Sequence, residues 1–154
     1  MNSEQVFAAL KKHIQFQSEP ELLLLKGHLI LEQCLNELLR SYIADAEVLE
    51  RLNLTFVRKL DLLGALGHRL YSPGLNGDAE IRELNRIRNK LAHRLDFEDY
   101  EAEFKRWACS VVGYTPKSIN RRTTYLNTVR RAFLLLTAFL SGVAETKHEL
   151  KVVA

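Results

Sequence analysis

Asn85, Arg88, Asn89 and His93 fall within one stretch, IRELNRIRNKLAHRL, residues 81–95, and are the side chains best suited to chemistry. Histidine ordinarily titrates near neutrality, which suits general acid or base work. Arginine carries permanent planar charge that matches anionic oxygens. Asn85, Asn89 and His93 are spaced i, i+4, i+8 and align along the axis of a helix. Ile81, Leu84, Leu91, Ala92 and Leu95 also recur at helical spacing. On a wheel of about 100° per residue, Ile81, Leu84, Ala92 and Leu95 lie within about 40° of Arg88. Arg88 therefore occupies a place in the apolar stripe where another Leu is expected, and the two Asn and His93 lead from it toward solvent. Burying an unpartnered guanidinium costs on the order of several kcal/mol. Snorkelling, a carboxylate on another helix, or fixing the register of a helix contact would each accommodate it, as would a ligand.

The elements that must hold this helix also read as helices. Residues 3–17 form an amphipathic helix with Val6, Phe7, Leu10, Ile14 and Phe16 as its buried set. Ser18, Pro20 and Glu21 then give an N-cap, a first-turn proline and a capping box. A long helix follows over 20–43, its apolar face carrying Leu24, Leu25, His28, Leu31, Cys34, Leu35, Leu38 and Tyr42. His28 on that face reads as a hydrogen-bonded core residue. After a shorter segment, FVRKLDLLGALG (56–67) is a third helix, and YSPGLNGD (71–78) is a loop whose Asp78 can cap the helix of residues 81–95. Further helices cover 98–111, with Asp96 as its cap, and about 118–144. The apolar run AFLLLTAFL (132–140) predicts a buried helix end in preference to an oligomer contact. Short connections between such elements imply an all-α antiparallel bundle of five to six helices in one domain, with its core over 20–145.

Composition narrows the class. With 47% apolar and 27% charged residues over 154 positions, the chain suits one globular domain. Cys34 and Cys109 lack metal-ligand spacing, and neither a signal peptide nor a run of about 20 apolar residues is present, so a cytoplasmic protein without membrane contact is expected. Glycines in GALGHRLYSPGLNG do not form a phosphate loop, and no cofactor or metal is called for. Residues 1–103 hold 13 basic and 17 acidic side chains, whereas 104–144 holds seven basic ones and no acid. Of these, Lys105, Arg106, Arg121, Arg122, Arg130 and Arg131 are candidates for contacting a polyanion backbone.

RNKLAH, residues 88–93, resembles the Arg-x4-6-His motif of the HEPN superfamily of all-α domains, in which a polar residue, often Asn, follows the Arg. The resemblance covers residues 20 to about 145, with a long helix preceding a loop and the motif helix. It implies a metal-independent endoribonuclease that works as a homodimer on single-stranded RNA, in a toxin–antitoxin, defence or stress setting. His93 would move protons, Arg88 would stabilise the charged phosphorane, and Asn89 would orient phosphate or imidazole, with Asn85 in support. RNA supplies its own 2′-OH nucleophile, so products would carry a 2′,3′-cyclic phosphate and a 5′-hydroxyl. A two-fold axis facing two motif helices would supply the second histidine. The basic segment would track the RNA backbone without reading bases.

Toxin members of the family often place a Tyr two residues after the His. Leu95 stands there, and the nearest Tyr is Tyr100. KLDLLGALG followed by LNRIRNKLAH is also similar to the mannitol-repressor-like branch of the fold. That likeness implies a non-catalytic regulatory module that uses the same surface for a protein partner or a DNA complex, whereas a cognate antitoxin belongs to the toxin reading. A small-ligand nucleotide-binding module is a third possibility.

Overall fold

The computed structural model describes residues 2–43, 45–93 and 98–153, with residues 98–99 and 147–153 given by backbone alone. Among these residues seven helices and one small hairpin follow in order: α1 Ser3–His13, α2 Pro20–Tyr42, α3 Ala46–Arg51, α4 Phe56–Ala65, β1 Tyr71–Ser72, β2 Leu75–Asn76, α5 Gly77–His93, α6 Glu98–Val112 and α7 Arg122–Val153. The fold is an all-α bundle, with one helix more than the upper expectation because 46–51 makes a short helix of its own, capped by Asp45 Oδ1 on the amides of Glu47 and Val48.

α2 and α7 are the central pair. Gly27 allows the contact: a Cβ there would lie 2.2 Å from the ring of Phe133. Phe133, Phe104 and Trp107 form an aromatic knot across α6 and α7, with centroid separations of 5.2–6.4 Å. Fully burying a ring such as Phe133 contributes about 1.5–3 kcal/mol. Cys34 and Cys109 are both buried and free.

Several expectations shift at helix ends. α1 begins with an Asn2/Gln5 capping box and stops at His13, so Phe16 sits past its end and is 80% exposed. Phe7 also faces outward, leaving Val6, Leu10 and Ile14 as the buried set. α2 starts from Glu19 without a side-chain cap, and Ser18 instead offers its carbonyl to Arg122 at 2.8 Å. The 71–78 loop folds into a hairpin whose Pro73-Gly74 corner (Gly74 φ 83°) has the residue order of a type II turn. α7 begins at Arg122 because 116–121 turns on itself, Ile119 N donating to Pro116 O and Arg121 N to Ser118 O. Its apolar run is buried on one side only, at Ala132, Phe133, Leu136 and Leu140, with Leu134 and Leu135 exposed.

Candidate functional site

The hairpin launches α5. Asn76 Oδ1 accepts from Ala79 N at 3.2 Å, so Asn76 caps the helix; Asp78 pairs instead with Arg82 at 2.9 Å. Burial then falls along α5, not only around it. Ile81, Leu84, Asn85 and Ile87 are buried, Arg88 and Leu91 are half-buried, and Asn89, Ala92 and His93 are exposed. Ala92 thus lies in the stripe by angle but outside the core by height. Arg88 marks the level at which the helix leaves the core. Leu95 and Asp96, named above, lie outside the described residues.

A cavity of about 400 Å³ opens at that level, walled by His28 and Glu32 of α2, Thr55, Phe56 and Val57 at the start of α4, and Asn85, Arg88 and Asn89 of α5. His28 is buried, stacks on Phe56 at a 4.1 Å centroid separation, and its Nε2 donates to Asn85 Oδ1 at 3.0 Å. Glu32 is engaged by Lys59 at 2.5 Å. Arg88 Nη1 donates to Asn89 Oδ1 at 3.2 Å, and no carboxylate pairs with the guanidinium among the described residues. Its neighbours on the outer face are compensated: Arg82 binds Asp61 and Asp78, Arg86 binds Glu83 and Glu103, and Lys90 binds Glu103. The arrangement is suited to an anionic group. A fixed positive charge faces a partly enclosed space, beside amide and hydroxyl groups that can complete its hydrogen bonding.

His28 is held neutral in this setting. Burial lowers its pKa below the usual 6.5, the hydrogen bond to Asn85 opposes that, and the nearby Arg88 charge lowers it further. The folded protein therefore binds fewer protons at this site than the unfolded chain. Stability from this group is complete above the ordinary histidine pKa and is lost as pH falls from there through the lowered folded value. Thermal unfolding followed between pH 7 and 5 is expected to show Tm falling, with a shallower fall in His28→Gln. Equal slopes in the two proteins would contradict this account.

Of the expected site residues, Arg88, Asn89 and Asn85 line one cavity, and His93 does not. His93 is exposed, four residues beyond Asn89 at the end of α5. His28, Glu32, Thr55, Phe56 and Val57 complete the cavity without having been assigned to it from sequence. The i, i+4 pairing of His28 with Glu32 on α2 was the available signal; Asn85 is 57 positions from His28, a separation only tertiary packing closes. Tyr100 is fully buried.

The basic candidates divide into several groups. Arg122 and Arg130 donate to the carbonyls of Ser18 and Gln17, at 2.8 and 2.6 Å, and so tie α7 to the α1–α2 corner. Lys105 lies 5.1 Å from the centre of the Tyr125 ring, and Arg131 lies 5.8 Å from that of Tyr114. Lys105, Arg106 and Tyr114 line a hollow of about 500 Å³ at the α6–α7 turn, and Arg121 is exposed. Trp107 Nε1 donates to Glu80 O at 2.9 Å, which puts this part of α6 beside the first turn of α5. His93 is about 20 Å of helix away from that turn. Among the described residues no cluster of His, Cys, Asp or Glu could hold a metal, and no helix is long and apolar enough to cross a membrane.

Comparison with family models, curated proteins and solved structures finds no match for this chain.

Proposed function

We propose that the chain is a HEPN-type, metal-independent endoribonuclease acting on single-stranded RNA as a homodimer. The observation that carries this reading is Arg88: a half-buried residue whose guanidinium has no carboxylate partner among the described residues, is bonded to Asn89 and lines a cavity. In the proposed mechanism Arg88 takes the non-bridging oxygens of the scissile phosphate and Asn89 orients it. His93 removes the 2′-OH proton as the oxygen attacks phosphorus. The 5′-oxygen leaves, protonated by the second His93 that a two-fold partner brings, and a 2′,3′-cyclic phosphate remains. His28 stays neutral and holds Asn85, which keeps the wall behind Arg88 in place. A toxin, defence or stress role and control by a cognate antitoxin belong to the same proposal.

The direct test incubates purified protein with single-stranded RNA in EDTA and identifies the ends. Products with 5′-hydroxyl and cyclic phosphate are expected; dependence on added metal would contradict the mechanism. A second reading is the mannitol-repressor-like regulatory module. The exposure of Asn89, Ala92 and His93 on one end of α5 favours it, since such a ridge suits a protein contact. It predicts no turnover, and a complex that is broken by substitutions on this ridge.

A further inference from the structure

α1 and α7 lie against each other over much of the length of α1, tied at one end by Ser3 N to Glu145 and at the other by Arg130 to Gln17. Between them runs a groove of about 540 Å³ whose floor includes Phe7, Ile14 and Leu134 and whose edge carries Lys11, Arg130 and Arg131. Phe7 is 51% exposed and Leu134 43%, a large outlay of apolar surface on facing helices. Among the described residues no carboxylate lines the groove. The Arg131 guanidinium rests over the Tyr114 ring and bonds its hydroxyl at 3.3 Å, which fixes its position without cancelling its charge. Arg130 is likewise held by neutral oxygens, the Gln17 carbonyl and Asn127 Oδ1. The nearest acids on these two helices are Glu4, one turn before Phe7, and Glu145, whose Oε1 accepts from Ser3 N at 3.0 Å.

We infer that this groove receives an amphipathic helix from a partner protein whose flanks are acidic. An apolar trough between two antiparallel helices accepts a third helix, whose own apolar side chains at i, i+3, i+4, i+7 point into it. Three cations, with no lining acid among the described residues, select negative flanks. The same charges disfavour a second copy on this face, because a two-fold contact would set Lys11, Arg130 and Arg131 against their own equivalents. The floor offers one aromatic face, Phe7, among Leu10, Ile14 and Leu134, whereas a strand of RNA binds by stacking successive bases on several such faces. The surface is separate from the Arg88 cavity, and the inference stands or falls without the ribonuclease proposal.

The test uses the full chain and labelled helical peptides of about 20 residues with Leu at i, i+3, i+4, i+7. One peptide carries Glu on both flanks, one carries Lys, and one is a scramble of the first. Fluorescence anisotropy is expected to show saturable binding of the Glu peptide alone. Phe7→Ala and the pair Lys11→Glu with Arg131→Glu are each expected to raise Kd about tenfold or more. The charge-reversed pair is further expected to take up the Lys peptide. All these side chains are exposed, so circular dichroism of the variants should be unchanged; Arg88→Ala should bind the Glu peptide normally. Equal binding of the Glu and Lys peptides, or binding of neither, overturns the inference. So does a dimer in sedimentation that Leu134→Glu dissociates, or RNA binding that the Phe7 and Lys11/Arg131 variants abolish.

Discussion

Cleavage of single-stranded RNA in EDTA is expected to fall about a hundredfold or more in His93→Ala and in Arg88→Ala alike. The first removes a proton carrier, whose contribution is typically about 10²–10⁴-fold. The second removes the charge that meets the developing phosphorane, a loss of similar or greater size. Arg88→Lys retains charge but not the planar fork, so it should recover only part of the activity. His93 is exposed, and its loss should change stability by no more than about 0.5 kcal/mol. A fall in activity therefore cannot be ascribed to unfolding. Arg88→Ala carries a second signature. Arg88 is one of the groups holding the His28 pKa down, so its removal should let that pKa rise and flatten the acid limb of the Tm profile. Undiminished cleavage in both alanine variants would end the ribonuclease reading.

Gly27→Ala should destabilise the fold by about 3 kcal/mol, at the upper end of what one extra methyl costs in a packed core. The added Cβ would stand 2.2 Å from two ring carbons of Phe133. The ring has little room to withdraw, since Phe133 is fully buried and packs on Phe104 and Trp107. Helix propensity points the other way, favouring Ala over Gly by about 1 kcal/mol. The sign of the change in a urea unfolding curve thus decides which effect governs. A companion Phe133→Leu should restore part of the loss by vacating the ring edge, whereas a stabilised Gly27→Ala would show that α2 and α7 are not in close contact at this point.

The bundle was legible in the sequence because amphipathic periodicity reports a helix directly. Leu24, Leu31, Cys34, Leu35 and Leu38 were read as one face and are buried together. Periodicity says less about where a helix stops. Phe16 continued the pattern in sequence but lies past the last turn of α1, so the chain direction has already changed. At α5 the wheel placed Arg88 at the right angle and said nothing of height; Ile87 goes into the core and Ala92 does not, although the wheel alone favours the reverse. Residue types marked Asn85, Arg88 and Asn89 as chemically useful, and they do share a cavity. The rest of its wall comes from α2 and α4, joined to α5 by packing across long stretches of chain that no local spacing encodes. The basic segment shows the converse limit. Arg122 and Arg130 read as surface charge, but each donates to a backbone carbonyl of the α1–α2 corner.

The carboxylates on the outer side of α5 have an effect beyond holding α6 and α4 in place. Arg82, Arg86 and Lys90 each have one within bonding distance, so at long range their fields largely cancel. Arg88 has no such counterweight within bonding distance among the described residues, and Glu32 across the cavity is itself engaged by Lys59. A helix with four described cations thus looks, to an approaching polyanion, like a single positive point. Fewer counterions are displaced when a strand settles on one such point than on four, so capture through this helix would be only weakly sensitive to salt. The ion pairs act as a mask, and what they leave uncovered is Arg88.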